Sequence, residues 1–193
     1  EFYRSDDMLL CISKQTKNLV ENVLRDHKKE DWAVKYVPHG IDEKKFFPII
    51  NDLEFEVFKE NMLGLEEYDF VVLWNSRNIR RKNASDIILT WRTFLDQLPV
   101  EQAKRCLLLM HTDPIDDNGT DLPAVVDSLC NPKIHKVKFD AKKWSEKELN
   151  YLYNCSDAHM FFTDNEGWGL GLTESLTAGR MIIAPVQGGM QDQ

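Results

Sequence analysis

The strongest constraint on the fold is a series of short runs that are apolar on successive residues. Six such runs occur along the chain: MLLCIS (8–13), FVVLWNS (70–76), CLLLMHT (106–112), HKVKF (135–139), AHMFFT (158–163) and MIIAPV (181–186). Several are apolar at every position rather than at every second one, which is typical of strands in a parallel sheet that is covered on both faces. We therefore predict a strand at each run.

Helical patterns lie between these runs, at residues 13–27, 51–68, 83–98, 145–156 and 170–179. Ser13 and Ser145 are suitable N-caps, and Glu148 completes a capping-box pattern with Ser145. Gly179 is a suitable glycine after a helix C-terminus. Alternation of strand and helix predicts an α/β fold with a doubly wound parallel sheet.

The segment VKYVPHGIDEKKFFP (34–48) contains two prolines, a glycine and a run of charges. It separates the first strand–helix unit from a longer series that begins again after it. We therefore predict an end of one domain at residues 1–34, an interdomain linker at 35–48 and a second domain at 49–193. Because the chain lacks an initiator Met and stops after a strand and a turn, we expect both domains to be incomplete.

Composition excludes some classes of function. A net charge of −8 disfavours a nucleic-acid binder, which normally presents a basic face. The four cysteines form no C-x-x-C pair, which favours free thiols in a reducing compartment. The histidines show no metal-ligand spacing, so we predict no metal site. No apolar stretch approaches the roughly 20 residues that span a bilayer.

A basic loop follows the second apolar run. In an open α/β sheet, ligands bind beyond the carboxyl ends of the strands, and NSRNIRRKN (75–83) lies at such an end. Its cations are Arg77, Arg80, Arg81 and Lys82. Together with the free amides of a helix N-terminus they favour a diphosphate site. The alternative is a solvated run of charges.

A glycine-rich loop, EGWGLGLTESLTAG (166–179), follows the fifth run. Its glycines leave backbone amides uncovered, so an anion or a sugar can come close. The carboxylates of Glu166 and Glu174 can accept hydrogen bonds from vicinal sugar hydroxyls. The alternative is that Glu166 caps the helix and Glu174 is an ordinary surface residue. The last loop, VQGGMQDQ (186–193), has paired glycines that indicate another close backbone approach or a tight turn.

Together these segments resemble one family. The chain is similar to the retaining, nucleotide-sugar-dependent glycosyltransferases of the GT-B fold, in the large group (glycosyltransferase family 4, or glycosyl transferases group 1) that includes sucrose- and glycogen-synthase-like enzymes. YVPHGIDEKKFFP resembles the family's linker, with His39 in place of an Asn. SRNIRRKN resembles its Gly-Arg-(four residues)-Lys-Gly loop. Arg77 and Lys82 have the family spacing, whereas Ser76 and Asn83 replace both glycines.

The segment 145–192 carries the most specific likeness. Glu166 and Glu174 are separated by seven residues, as in the family's paired-glutamate motif, and Asp192 is the acidic residue expected after the glycine pair. The resemblance implies a Rossmann-like donor domain preceded by the last strand–helix unit of a second Rossmann-like domain.

The resemblance also implies the roles of the site residues. Arg77 and Lys82 would bind the donor diphosphate and stabilise the leaving group, and Glu166 would lie at the transferred sugar. Glu174 would bind the ribose hydroxyls. Further donor contacts would come from Gly167, Trp168, Gly169 and Leu170, and the loop at Phe139 and Asp140 would lie beside the base.

By resemblance, the full-length protein transfers a sugar from a UDP-, GDP- or ADP-sugar with retention of configuration, without a metal or other cofactor. The acceptor would be a glycan, a lipid-linked compound or a small molecule, in polysaccharide or glycoconjugate biosynthesis. We expect a cytoplasmic or membrane-peripheral protein, and a fragment that is inactive alone. Two alternatives are a catalytically silent nucleotide-sugar-binding module and a nucleotide-sugar epimerase on the same fold.

Overall fold

The computed structural model describes residues 2–26, 30, 33–64 and 67–193. The strands are β1 Leu9–Cys11, β2 Val34–Tyr36, β3 Phe70–Asn75, β4 Cys106–His111, β5 Lys136–Asp140, β6 Ala158–Met160 and β7 Met181–Ile183. The α-helices are α1 Phe2–Ser5, α2 Lys14–Leu24, α3 Leu53–Leu63, α4 Ala84–Leu95, α5 Val100–Ala103, α6 Leu122–Leu129, α7 Glu146–Asn154 and α8 Leu170–Thr177. Two 3₁₀ turns cover Arg80–Lys82 and Gly188–Asp192.

The larger sheet has five strands in the order β5-β4-β3-β6-β7, and all of its pairs are parallel. The chain starts at the central strand β3, moves outward through β4 to β5, and then crosses back to β6 and β7. Strand order therefore reverses between β3 and β6, and a crevice opens beyond the carboxyl ends of these two strands. This arrangement confirms the predicted doubly wound parallel sheet.

Helices cover both faces of this sheet, which explains the continuous apolar runs. On one face, Val72 and Trp74 of β3 belong to a buried cluster with Ile87 and Trp91 of α4. On the other face, the alternate residues of β3 and β4 join a second cluster that includes α3 and α7. Leu73 and Leu108 have no exposed surface. Successive interior positions of β3 and β4 are thus buried on both faces, as the sequence predicts.

Several helix ends follow the predicted chemistry. Ser13 accepts a hydrogen bond from the amide of Thr16, and Ser145 and Glu148 form the complete capping box. Gly179, just after α8, has φ +77°, a conformation that glycine adopts without strain. The sequence pattern did not predict β2 or α6, and residue 27, at the end of the first predicted helix, lies outside the described residues.

The first strand–helix unit forms a separate two-stranded parallel sheet, in which β1 pairs with β2. Cys11 packs with Val20 and Leu24 of α2 to give this unit its own small core. β2 continues to Tyr36, two residues past the boundary predicted at residue 34. The Asp192 carboxylate accepts a hydrogen bond from the Lys14 amide at 2.7 Å, so the last 3₁₀ turn is bonded to the start of α2.

Candidate functional site

A cavity of about 400 Å³ lies beyond the carboxyl ends of β3 and β6, at the point where the strand order reverses. The basic loop, the glycine-rich loop, the linker and the end of β1 all contribute to its wall. The lining residues are Ile12, His39, Asn75, Ser76, Lys82, Tyr153, Phe161, Glu166, Gly167, Trp168, Gly169, Leu170, Gly171 and Glu174. Ligands of doubly wound sheets bind at this position, so we take it as the candidate site.

One end of the cavity is an ionic cluster around Glu166. Its Oε2 atom accepts hydrogen bonds from Lys82 Nζ and, at 3.0 Å, from Arg81 Nη1. The Lys82 side chain is only 10% exposed, and its ammonium lies 4.7 Å from the centroid of the Phe161 ring. Burial raises the pKa of the Glu166 carboxyl, but Lys82 and Arg81 outweigh burial and hold the pKa below its ordinary value. Glu166 is therefore ionised and paired with two cations.

The basic loop and the glycine-rich loop are held together by their backbones as well. The Asp164 amide donates to the Arg81 carbonyl at 2.8 Å, and the Asn83 side chain donates to the Asp164 carboxylate at 2.8 Å. Asn83 has φ +51°, the left-handed conformation that asparagine tolerates better than most residues. Asn83 therefore meets the positive φ that the backbone has at this position.

The first turn of α8 faces the cavity. Its N-cap, Gly169, makes no side-chain capping hydrogen bond and has φ +92°. The amides at the start of α8 are consequently open to an anion from the cavity side, and the helix dipole favours negative charge there. Trp168 anchors this turn, since its indole Nε1 donates to Thr173 Oγ1 at 3.0 Å.

Gly188 and Gly189 lie directly against the glycine-rich loop. A Cβ on Gly189 would collide with the Gly167 carbonyl oxygen, and one on Gly188 would collide with the Glu166 carbonyl oxygen. The Gly189 amide donates to that Glu166 carbonyl at 3.1 Å. Of the two interpretations of this pair, the close backbone approach holds, and its effect is to fix the backbone that carries Glu166.

The other end of the cavity is a neutral hydrogen-bond network around Glu174. Tyr153, which is 0% exposed, donates its hydroxyl to Glu174 Oε2 at 2.6 Å and accepts from Asn75 Nδ2 at 2.9 Å. Burial raises the pKa of Glu174, and the nearby charge of Glu146 adds to this, whereas the bond from Tyr153 opposes it; the net direction is upward. Glu174 has no cationic partner among the described residues.

His159 lies beneath this network and is entirely buried. Its ring stands 5.8 Å from the Tyr153 ring and 5.7 Å from the Phe161 ring. Burial, together with the charge of Lys82, lowers the pKa of His159 to about 3, so the imidazole is neutral. It serves as packing under the floor of the cavity.

Three predicted site residues lie outside the cavity. The Arg77 guanidinium binds Asp116 through two hydrogen bonds, at 2.8 and 3.3 Å, and its side chain is 66% exposed. Phe139 packs against the core on the α4 face of the sheet. Asp140 is buried, where it bonds His111 Nδ1 at 2.8 Å and Trp144 Nε1 at 2.6 Å.

Of these three residues, Arg77 lines a second, smaller cavity of about 290 Å³, which shares Asn75 and Ser76 with the first. Arg77 and His111 line it directly, and Asp140 holds His111 in place. The remaining wall comes from Thr112, Asp113 and residues 141–143. The loop after β5 thus lines the second cavity rather than the first.

In the part of the chain that the structure describes, no group of three or more His, Cys, Asp or Glu side chains is arranged to hold a metal ion. Within the same residues, none of the helices has the length and apolar character needed to cross a membrane. The described cysteines are all free thiols.

Solved structures with the same fold cover almost the whole chain. Sucrose-phosphate synthase from Thermosynechococcus elongatus aligns with a TM-score of 0.71 and 21% identity over 98% of this chain and 43% of its own. Anabaena HepE in complex with UDP and glucose aligns with a TM-score of 0.71 and 16% identity over 98% of this chain and 47% of its own. The chain has the GT-B glycosyltransferase fold.

A third GT-B structure, the catalytic domain of starch synthase IV from Arabidopsis thaliana bound to ADP and acarbose, aligns with a TM-score of 0.67 and 15% identity over 97% of this chain and 41% of its own. This chain therefore spans less than half the length of each of these three GT-B structures. No family model and no curated protein matches the sequence.

Sequence reasoning singled out five cavity-lining groups that the structure brings together: Lys82, Glu166, Glu174, the segment 167–170 and Gly171. It gave no role to Tyr153, whose position in an amphipathic helix indicates only a core residue. It named Arg81 only as one of four cations. Asn75 could have been found, because it is the last residue of β3 and carboxyl-end positions face the ligand crevice.

Proposed function

We propose that this chain binds the donor in a glycosyltransferase that moves a sugar from a nucleotide diphosphate sugar to an acceptor, with retention of configuration and without a metal ion. One observation carries the proposal. Lys82, the carboxylates of Glu166 and Glu174 and the N-terminus of α8 line a single cavity at the switch point of the sheet, and the half-exposed Arg81 joins this site through its hydrogen bond to Glu166. Each matches a different part of such a donor.

The diphosphate would lie between Lys82, Arg81 and the first amides of α8. Breaking the bond between the sugar C1 and the phosphate oxygen leaves the electron pair on the β-phosphate, which gains negative charge. Fixed cations and helix amides in a partly dry cavity stabilise this charge without reorganising. Because these groups already supply positive charge, we propose that the reaction needs no metal ion.

The two carboxylates would bind hydroxyl groups at either side of the diphosphate. Glu166, next to the cations, would receive the transferred sugar, and Glu174 would receive the ribose. A carboxylate whose first oxygen accepts a hydrogen bond from the protein can still accept a hydrogen bond from a sugar hydroxyl with its second oxygen. Glu166 precedes α8 and Glu174 lies on it, so the first turn of α8, which would bind the phosphates, lies between the two carboxylates in the sequence.

The base would occupy the second cavity, where Arg77, His111 and the loop after β5 meet. The similar structures include one with UDP and one with ADP, so the fold accommodates both bases. Arg77 would have to leave Asp116 to reach the diphosphate from there. We therefore propose that Arg77 contributes less to diphosphate binding than Lys82 does.

Calorimetry with UDP, GDP, ADP and their common sugars tests this assignment on the chain, on Lys82→Ala and on Lys104→Ala. Lys104 is a matched control, since it forms an exposed ion pair with Glu101 and precedes β4, at the edge of the sheet opposite the cavity. We expect one nucleotide to bind, Lys82→Ala to weaken it at least tenfold, and Lys104→Ala to leave it unchanged. Binding that is equal in all three proteins would contradict the proposed site.

Transfer and its stereochemistry are tested on the longer protein. Proton NMR of the first product formed from an α-linked donor should show an α-glycoside, and EDTA should leave the rate unchanged. A β-glycoside would exclude retention. Nucleotide binding with no transfer would favour a silent binding module, and conversion of the donor sugar without an acceptor would favour an epimerase.

A further inference from the structure

Tyr153 forms hydrogen bonds to two other elements in the wall of the cavity, the strand β3 and the helix α8. Its hydroxyl donates to Glu174 Oε2 on α8 at 2.6 Å and accepts from Asn75 Nδ2, at the end of β3, at 2.9 Å. The side chain itself belongs to α7 and has no exposed surface. One phenol group therefore connects three elements directly below the ligand crevice.

The direction of these two hydrogen bonds is fixed by chemistry. The Tyr153 oxygen carries a single O–H, and the Glu174 carboxyl oxygen that lies 2.6 Å away is the acceptor at which it points. The Asn75 amide nitrogen only donates, so it occupies a lone pair of the phenol oxygen and keeps the O–H from turning toward β3. The Glu174 carboxylate is consequently held through Oε2, and no described residue bonds Oε1.

The Tyr153 ring is fixed by packing on both sides. The Phe46 ring lies 6.0 Å away and the His159 ring 5.8 Å away, measured between centroids. Gly171 in the first turn of α8 lies directly against the hydroxyl, since a Cβ there would make ordinary contact with the phenol oxygen at 3.4 Å. A rigid ring with one fixed O–H restricts the carboxylate more than water does.

We infer that Tyr153 is a positioning residue that aims the free oxygen of Glu174 at the vicinal hydroxyls of the donor ribose, and so sets the preference for ribonucleotides over deoxyribonucleotides. The inference rests on the proposed function, in which Glu174 receives the ribose. It assigns no substrate contact to Tyr153, which acts only through Glu174.

The test compares UDP, GDP and ADP with their 2′-deoxy and 3′-deoxy forms by calorimetry, on the chain and on Tyr153→Phe. For the nucleotide that binds, we expect the chain to prefer the ribose form by about tenfold, because each deoxy form loses a hydrogen bond to the Glu174 carboxyl group. Tyr153→Phe should reduce this ratio to about twofold. A purely structural tyrosine would weaken the ribose and deoxy forms equally and leave the ratio unchanged.

Tyr151→Phe is the matched control. Tyr151 lies on the same helix and is 5% exposed, but its hydroxyl donates to Asp52, away from the cavity. The preference of Tyr151→Phe for the ribose form over the deoxy forms should equal that of the unchanged chain. Asn75→Ala provides a second variant in case Tyr153→Phe does not fold. It should lower the preference for the ribose form over the deoxy forms about threefold, since the O–H of Tyr153 is then free to turn away from Glu174.

The outcomes separate the two proposals. A ratio that is unchanged in both Tyr153→Phe and Asn75→Ala would overturn the positioning role and leave the donor site intact. A chain that binds none of the three nucleotides, while the longer protein also binds none, would overturn the donor site and this inference with it. In a Glu174→Ala background, adding Tyr153→Phe should not change the ratio further.

Discussion

Glu166 and Glu174 face the same cavity from one loop and helix, but the protein holds them by different means. Glu166 is paired with Lys82 and Arg81, and these charges lower its pKa. Glu174 is held by a neutral tyrosine, and burial raises its pKa. The site thus has an ionic end and a neutral hydrogen-bonded end, whose two glutamates have seven residues between them in the sequence.

This difference indicates how each end responds to a donor. At the ionic end, a diphosphate competes with Glu166 for Lys82 and Arg81, so the charges must rearrange when the ligand arrives. At the neutral end, the Tyr153 bond to Glu174 involves no group that a phosphate would attract. We therefore expect Glu166 to move on binding and Glu174 to remain in place.

The largest effect should come from breaking the ionic end. Lys82→Met leaves a largely buried Glu166 with Arg81 as its remaining cation, and we expect a loss of about 2–3 kcal/mol in the free energy of unfolding. Adding Glu166→Gln should restore part of that loss, because no uncompensated charge remains. Urea unfolding of the single and double variants measures both, with Lys104→Met as an exposed control. An equal loss in the single and double variants would show that the ion pair is not what the substitution breaks.

The neutral end should respond less. Tyr153→Phe removes one hydroxyl and leaves Glu174 and Asn75 without this partner, so we expect a loss of about 1–2 kcal/mol in the free energy of unfolding. Tyr151→Phe, which loses a single longer hydrogen bond to Asp52, should cost less than about 1 kcal/mol. If the two variants lose the same stability, the network at Tyr153 has no special energetic role.

Dependence on pH should have opposite signs at the two ends. The lowered pKa of Glu166 means that its contribution is present above the ordinary value of 4.5 and is lost as the pH falls through the lower folded pKa. The raised pKa of Glu174 means that its contribution is present below 4.5 and is lost as the pH rises through the higher folded pKa.

Chemical unfolding of Glu166→Gln and Glu174→Gln between about pH 2 and pH 7 measures this contrast. Relative to the unchanged chain, Glu174→Gln should gain stability as the pH rises from 4.5, and Glu166→Gln should lose its disadvantage as the pH falls below 4.5. Parallel curves for the two variants would contradict the distinction between the ionic and neutral ends.

The smallest effect should come from Arg77, which lies outside both ends. Arg77→Ala removes an exposed ion pair with Asp116, so we expect the smallest change in the free energy of unfolding among these variants, and a still smaller one in high salt. A loss comparable to that of Lys82→Met would mean that Arg77 belongs to the ionic end after all. Thermal unfolding at two salt concentrations is sufficient.

Local patterns in the sequence predict much of the fold. All six apolar runs contain a strand, and Ser13, Ser145 with Glu148, and Gly179 mark helix ends as expected. The sequence did not predict β2, because Val34–Tyr36 is only three residues long and its middle residue, Lys35, interrupts the apolar pattern. α6 escaped because its LPAVVDSL pattern is short and carries a proline in the first turn, which is allowed at that position but resembles a loop.

The sequence predicts the candidate site less completely than the fold, because local patterns do not show which side chains of a loop face the cavity. Lys82, Glu166 and Glu174 could be found because they follow strands at the carboxyl edge of the sheet or belong to a recognisable spacing. The spacing to Lys82 singled out Arg77 and not Arg81, yet Arg81 pairs with Glu166 and Arg77 with Asp116. Which cation of a run faces the cavity depends on the 3₁₀ turn at Arg80–Lys82.

By itself the sequence determined the parallel sheet, the positions of the helix caps and the three loops in which a donor could bind, because these depend on patterns within a few residues. The tertiary structure alone decided that Gly189 packs on Gly167, that Tyr153 reaches Glu174 and that Arg77 is paired outside the cavity. Those contacts join residues 21 to 39 positions apart, or loops from different strand ends, and no local pattern encodes such a distance.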